Sequence, residues 1–349
     1  VLTNPFTTTN GSPTVSVADT AHGCVTGDYV TFSGASAVGG LTLNHEYQVT
    51  VTNVNAYTIT ASSNATSTAT GGGTVTAEYQ LNTGNEIVVP LTGWGAGAWG
   101  AGPWGEGDVT NVPIRLWSQS NFGENLIFAY RGGPICYWYA STGTSVRGVL
   151  LENEVGASDV PTVVNDVFVS DTSRFVFAFG CNELGGSTLD PMLVRWSNQE
   201  DPLMWTPEAT NQAGSLRLSH GSEIITALQS RQEILVWTDS TLYSLQYLGA
   251  PEVWGSQLLG DNLSIAGPNA VAFAGVVSYW MGVDKFYKYD GTVSTLNCDL
   301  RKFVFNDINT LQRGQFFAST NEGFNEVWWF YCTADSDTID RYVVYNYLE

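Results

Sequence analysis

The side chains in this sequence that could do chemistry are three histidines, five cysteines and 33 carboxylates, and their spacing assembles no familiar catalytic set. His22, His45 and His220 stand in unrelated contexts, His220 just ahead of a turn at Gly221. There is no GxSxG nucleophile elbow and no HExxH zinc helix. His22 opens the run His22-Gly-Cys-Val-Thr-Gly-Asp-Tyr-Val30 and could ligate a metal, but only His45 is near it and no Cys or Asp cluster stands at ligand spacing. The expected role of His22 is to cap a turn. Cys24, Cys136, Cys181, Cys298 and Cys332 are odd in number and form no CxxC. Cys136 and Cys332 fall inside aromatic runs, so buried free thiols are expected, as in a chain that folds in a reducing cytoplasm.

Asp335, Asp337 and Asp340 share one loop, which lacks the glycine and terminal glutamate of a calcium-binding EF-hand loop and reads as a solvated hairpin tip. Any two carboxylates could act as a glycosidase pair, but distance along the chain does not establish the separation that chemistry requires. A site for an acidic sugar would need clustered arginines. Arg174, Arg195, Arg217, Arg231, Arg301, Arg313 and Arg341 are scattered. Sequons at Asn10, Asn64 and Asn262 are what chance gives in a chain this rich in Ser, Thr and Asn. The reading is therefore of a protein that is no enzyme, with no catalytic residue, no cofactor and no metal site.

The elements that would position any function recur along the chain. A pair of aromatic-rich strands appears five times: Leu126–Tyr130 with Ile135–Tyr139, Arg174–Gly180 with Met192–Trp196, Ile234–Thr238 with Thr241–Tyr247, Val276–Trp280 with Lys285–Gly291, and Glu326–Cys332 with Asp340–Tyr347. The first strands start roughly 40 to 60 residues apart, near the length of a four-stranded β-propeller blade. Aromatic and β-branched residues suit a pleated surface packed on both faces. A lone hairpin of this make-up is marginal in water, so the hairpins are read as the middle strands of successive blades. Between them, Gly260–Ala270 is a connector that supplies outer or inner strands, and the two Trp of Arg195–Pro207 are expected to clamp a loop between blades. Asp299–Asn309 is the one helical candidate.

Three regions follow: 1–80, 81–108 and 109–349. In 1–80 the short alternating runs Thr14–Val17, Asp28–Phe32, Tyr47–Val51, Tyr57–Thr60 and Thr74–Ala77 are separated by turn residues and read as a small β-barrel or sandwich. In 81–108, Trp94, Trp99 and Trp104 recur every five residues in a Gly/Ala background that can hold no core of its own. This connecting arm either packs on its own propeller or anchors in a neighbouring subunit, which makes these three Trp the candidate subunit-interface residues. No GxxxxGK[ST] occurs to suggest nucleotide binding. The region 109–349 is the β-propeller.

Composition narrows the class. Net charge is −20, with 13 Lys+Arg against 33 Asp+Glu, and only 13% of residues are charged. A chain this acidic repels nucleic acid and stays soluble, so DNA would slide past it without sticking. With Gly at 37 and 12 Trp, 16 Tyr and 16 Phe, the composition suits an all-β, turn-rich protein. No run of 18 apolar residues predicts a membrane span, and no signal peptide is visible. The start at Val1 and the stop at Glu349, directly after a strand, suggest a piece of a longer polypeptide.

Several motifs in order resemble one family. Trp196-Ser, Asp201-Pro, Trp205-Thr-Pro207, Ile234–Tyr243, Gly267–Ala270, Tyr279–Gly282, Phe286–Gly291 and Asn325–Tyr331 are similar to the propeller core of tail nozzle (hub) proteins of short-tailed bacteriophages (podoviruses), over roughly residues 110–349. The run Ala37–Gly40 with Tyr47–Val49 resembles a small β-module inserted in related phage proteins, and the Gly/Trp loop resembles a feature of the same family. The resemblance implies a structural virion protein, assembled in the host cytoplasm as a homohexameric ring below the tail adaptor. Such a ring touches fibres or a needle, and DNA passes through its channel without specific binding. It transfers no catalytic residue. Family members extend beyond both ends of this chain. The alternative from another class is a carbohydrate-binding or glycan-cleaving β-propeller, with a ligand at the axial end and Trp or Tyr stacking on sugars.

Overall fold

The computed structural model describes residues 1–20, 22–80, 84, 87–88, 114–144, 146–171, 173–231 and 233–348. The chain divides into two units, Val1–Gly84 and Asn85–Glu349.

The first unit is a β-sandwich. One sheet orders Leu2–Thr3, Thr74–Gln80, Tyr29–Ser33 and Glu46–Gln48. The other orders Thr50–Asn53, Ala56–Thr60, Thr14–Ala18, Phe6–Thr8 and Ala69–Gly71. The period-two pattern decides which side chains go inside: Val15 and Val17 are buried while Thr14, Ser16 and Ala18 are exposed. Phe6 of one sheet meets Phe32 of the other edge-on, with ring centroids 4.9 Å apart. The run Tyr47–Val51 is not the single strand its alternation suggests. It breaks at Val49, whose amide donates to Asp28 O at 2.8 Å and whose carbonyl accepts from Gly27 N at 2.9 Å. The chain crosses there from one sheet to the other, and burying Val49 at that corner outweighs continuing the strand.

The second unit is a β-propeller, with five successive antiparallel sheets among the described residues, each formed from consecutive strands. Blade 1 comprises Trp117–Phe122, Asn125–Tyr130, Cys136–Trp138 and Val149–Leu150. Blade 2 comprises Val164–Val169, Val176–Asn182, Leu189–Trp196 and Gly214–Arg217. Blade 3 comprises Ile224–Gln229, Ile234–Thr238, Thr241–Gly249 and Val253–Asp261. Blade 4 comprises Val271–Ala274, Val277–Met281, Phe286–Tyr289 and Val293–Thr295. Blade 5 has three strands among the described residues: Phe317–Asn321, Glu326–Tyr331 and Arg341–Asn346.

In blades 1 to 4 the aromatic hairpins are the second and third strands, as the sequence suggests. In blade 5 the reading needs correction: Glu326–Tyr331 is central, but Arg341–Asn346 is an edge, because no fourth strand pairs with it among the described residues. Strands buried on both faces are apolar except for a polar residue at the end, Asn182 or Thr238. Val176–Asn182 and Ile234–Thr238 have every residue buried. The expected helix is shorter than its candidate span, Arg301–Asn306, and Thr310–Gln315 follows as a 3-10 turn that buries Gln312.

Three apolar cores stack the blades. One lies between blades 1 and 2 around Ile127, Val167 and Trp205. A second lies between blades 2 and 3 around Phe177, Val194 and Val236. The third joins blades 3, 4 and 5 around Trp237, Trp280 and Trp329. Trp196 and Trp205 clamp the long loop of blade 2 from both sides, because they enter two different cores. Their indole N–H groups donate to Gln212 O and Pro202 O, each at 2.8 Å.

Candidate functional site

Blades 1 and 2, 2 and 3, and 4 and 5 approach through their first strands, where β-propellers place their axis. Ser118 and Ser120 of blade 1 accept hydrogen bonds from the amides of Val167 and Val169 of blade 2, both at 3.1 Å. Beside them lies a polar cluster spanning three blades. Arg131, at the end of the second strand of blade 1, donates to Glu223 Oε1 at 2.5 Å and to Ile225 O at 3.1 Å. Asn165 of blade 2 reaches the same Glu223 oxygen at 3.5 Å. Its neighbour Asp166 accepts from Ala227 N at 3.3 Å and Thr226 Oγ1 at 3.4 Å, both on the first strand of blade 3. Gly180 permits this arrangement. It sits at a register shift with φ +56°, and a Cβ there would lie 2.9 Å from the Asn165 amide nitrogen.

Burial pushes the Asp166 carboxyl up to about 6, against the pull of the Ala227 amide and the Arg131 guanidinium. The folded chain therefore holds this proton more tightly than the unfolded chain, whose carboxyl titrates near 3.9. The resulting stabilisation is present at low pH and is lost as pH rises through about 4 to 6. Relative to Asp166→Asn, the parent protein should lose about 1 kcal/mol between pH 5 and pH 7, read from urea midpoints at the two pH values. Equal pH profiles for the two proteins would refute the assignment. Chemically the cluster is a stitch between blades. It holds no nucleophile, and Arg131 is already matched by Glu223. Sequence reasoning passed over it, although the polar pair Asn165-Asp166 inside the otherwise apolar run Val163–Val169 was a usable signal.

The other sequence candidates are placed plainly. Trp94, Trp99 and Trp104 lie outside the described residues. His22 caps a turn, as expected: Nδ1 accepts from Cys24 N at 3.2 Å and lies 2.8 Å from Cys24 Sγ, and Nε2 is 2.9 Å from Asn53 O. Burial and the nearby Asp28 charge push the Cys24 thiol up to about 11, so it holds no ready thiolate. All five cysteines are free, and Cys136, Cys181 and Cys332 are buried. Among the described residues no group of three His, Cys, Asp or Glu could hold a metal.

Asp335, Asp337 and Asp340 are exposed at a hairpin tip, and Asp340 accepts from Thr333 N at 2.8 Å and Thr333 Oγ1 at 2.7 Å. Those bonds hold the Asp340 carboxyl below its usual range. The arginines are parted among separate carboxylates: Arg195 with Asp159 at 2.6 Å, Arg217 with Asp190 at 2.7 Å, and Arg301 with Asp284 and Arg341 with Asp307, each at 2.8 Å. No two of these four arginines share a carboxylate. An open hollow of about 380 Å³ lies at the outer strand of blade 3 and blade 4, lined in part by Asp261, Asn262, Lys285, Tyr287 and Ser294. It brings together one carboxylate and one amine, and Tyr287 is buried rather than offered for stacking.

No family model matches the chain, and no curated protein does. Among solved structures, the phage phi92 endosialidase is similar at 12% identity over 95% of this chain and 46% of that one, with a TM-score of 0.26. YCF48 bound to D1 peptide is similar at 10% identity over 95% and 82%, with a TM-score of 0.36. AztD of Citrobacter koseri is similar at 8% identity over 97% and 72%, with a TM-score of 0.35. The chain spans about half the length of the endosialidase it matches. Likeness at these scores carries no argument about function, and the propeller assignment stands on the blades themselves. No helix among the described residues is long and apolar enough to cross a membrane.

Proposed function

We propose that this chain is a structural subunit of a short bacteriophage tail, part of the nozzle or hub ring below the adaptor, through which DNA leaves the particle. The supporting observation is what the family-like residues do in the fold. Trp196, Trp205, Trp237, Trp280, Phe286 and Trp329 are all buried in the cores between blades. The aromatic residues of these motifs therefore serve packing between blades. The net charge of −20 suits a wall that DNA passes without adhering.

The reading expects mass photometry of the protein mixed with the phage's portal and adaptor to show six copies added as a ring. A protein that stays monomeric at high concentration with the adaptor present argues against it. The glycan-binding alternative gains no support from arginines already bound to carboxylates of their own, and a glycan array should give no hits.

A further inference from the structure

Apolar cores join blade 1 to 2, 2 to 3, 3 to 4 and 4 to 5, and among the described residues none joins blade 5 to blade 1. What meets there is the 3-10 turn Thr310–Gln315, which leads into blade 5. Gln312 is fully buried in it. Its Oε1 accepts from Val88 N at 2.9 Å, and its Nε2 donates to Val88 O at 2.8 Å. One side chain thus exchanges with Val88 the two bonds that a facing strand residue would exchange. Two residues on, Gly314 faces the chain that leads into blade 1: a Cβ built there would lie 3.7 Å from Ile114 Cδ1 and 3.9 Å from Leu116 Cδ1. The turn is itself held by blade 5. Gln315 Nε2 donates to Asp337 O at 2.7 Å and to Gln312 Oε1 at 2.9 Å, and Asn309 Nδ2 donates to Ser336 O at 2.9 Å. On the blade 4 side, a Cβ at Gly267 would run into the Arg313 carbonyl oxygen, so only glycine fits.

We propose that Thr310–Gln315 is a clasp that closes the propeller between blade 5 and blade 1, with the Gln312 carboxamide as its latch. Three observations carry this. A buried carboxamide needs both of its ends matched, and here a single residue, Val88, matches both. The same turn touches the lead-ins of blades 4, 5 and 1, so it sits where the first and last blades meet. The other junctions spread their burial over many apolar side chains, whereas this one concentrates its directional bonds on one. A junction of that kind opens locally, at a lower free energy than the cores beside it. The clasp belongs to the single chain and stands apart from the tail reading, so either can fail without the other.

The test is hydrogen exchange read by mass spectrometry on peptides containing Val88 or Gln312, for the wild type, Gln312→Leu and Gln312→Glu. Gln312→Leu keeps most of the volume and loses both bonds to Val88. Exchange in these peptides should speed up at least about tenfold, while Val176–Asn182 and Ile234–Thr238 keep their protection. Gln312→Glu carries the finer prediction. When protonated, its carboxyl accepts from Val88 N and donates to Val88 O as the amide does. When ionised, it has no donor, and it faces both the Val88 carbonyl and Asp337, whose Oδ1 lies 3.4 Å from Gln312 Nε2. The neighbouring Arg313 is turned away, with Nε donating to Thr310 O at 3.0 Å. Against the wild type at the same pH, Gln312→Glu should therefore be protected like the wild type at pH 5 and exchange like Gln312→Leu at pH 8. If Gln312→Leu does not fold, the comparison of Gln312→Glu at the two pH values decides alone. Protection at Val88 that survives in Gln312→Leu overturns the proposal. So does protection lost across all blades at once, or a Gln312→Glu variant indifferent to pH.

Discussion

Trp329→Ala should lower the free energy of unfolding by about 3–5 kcal/mol, while Trp328→Ala, one residue away, should cost under about 1 kcal/mol. The difference comes from alternation along a strand. Trp329 is 1% exposed, sits 4.9 Å from the Phe286 ring, and donates its indole N–H to Ala270 O at 3.2 Å, so it fastens blade 5 to blade 4. Removing it leaves a cavity and takes one of two donors from the Ala270 carbonyl, which keeps Met281 N at 3.0 Å. Trp328 is half-buried on the other side of the strand, where truncation removes its stacking on Tyr342 but empties no core. Urea unfolding followed by circular dichroism measures both. Equal losses at the two positions would mean that blade 5 packs differently.

The second large effect is expected at Arg195. This side chain is 2% exposed and donates to Asp159 Oδ2 at 2.6 Å, Asp159 O at 2.7 Å and Asn182 O at 3.2 Å, with the Trp205 ring 6.0 Å away. Asp159 is held in place by Gly185 N, which donates to its other carboxylate oxygen at 2.8 Å. Arg195→Met keeps the volume but strands a carboxylate and two carbonyls, and should cost about 3–5 kcal/mol. Arg195→Lys should recover little of this, because an ammonium cannot reproduce the planar fork that spans three acceptors. Arg217→Met, at a pair whose arginine is 59% exposed, should leave the urea midpoint where it was. A mild loss at Arg195 would show that the Asp159 pairing does not organise blade 2.

The sequence made some of this legible and hid the rest for physical reasons. The hairpins could be read because strands buried on both faces must be largely aromatic or β-branched, as Ile234–Thr238 is, and because Glu326–Tyr331 is aromatic along its length although only alternate residues are fully buried. The first strand of blade 1, Trp-Ser-Gln-Ser-Asn-Phe, could not. Its serines bond to the backbone of blade 2 rather than fill a core, so its composition looks like a loop. Arg195 appeared as one of several scattered arginines because its partner is 36 residues away and only the fold brings them together. Asp166 was overlooked for the same reason: its amide partner lies 61 residues further on. The break at Val49 was invisible because alternation continues through a corner. Several carboxylates, arginines and histidines cap turns or stitch blades with partners that only the fold brings near, such as His22 with Cys24 and Asn53, and Arg131 with Glu223.

Cryo-electron microscopy of a short-tailed phage particle whose genome encodes this chain tests the proposed tail role most directly. The account expects density for the five-bladed unit repeated around the tail channel below the adaptor, with the Trp329 side of blade 5 buried against blade 4 in every copy. A particle whose tail density fits no copy of this chain, or a chain absent from purified virions by mass spectrometry, would contradict it.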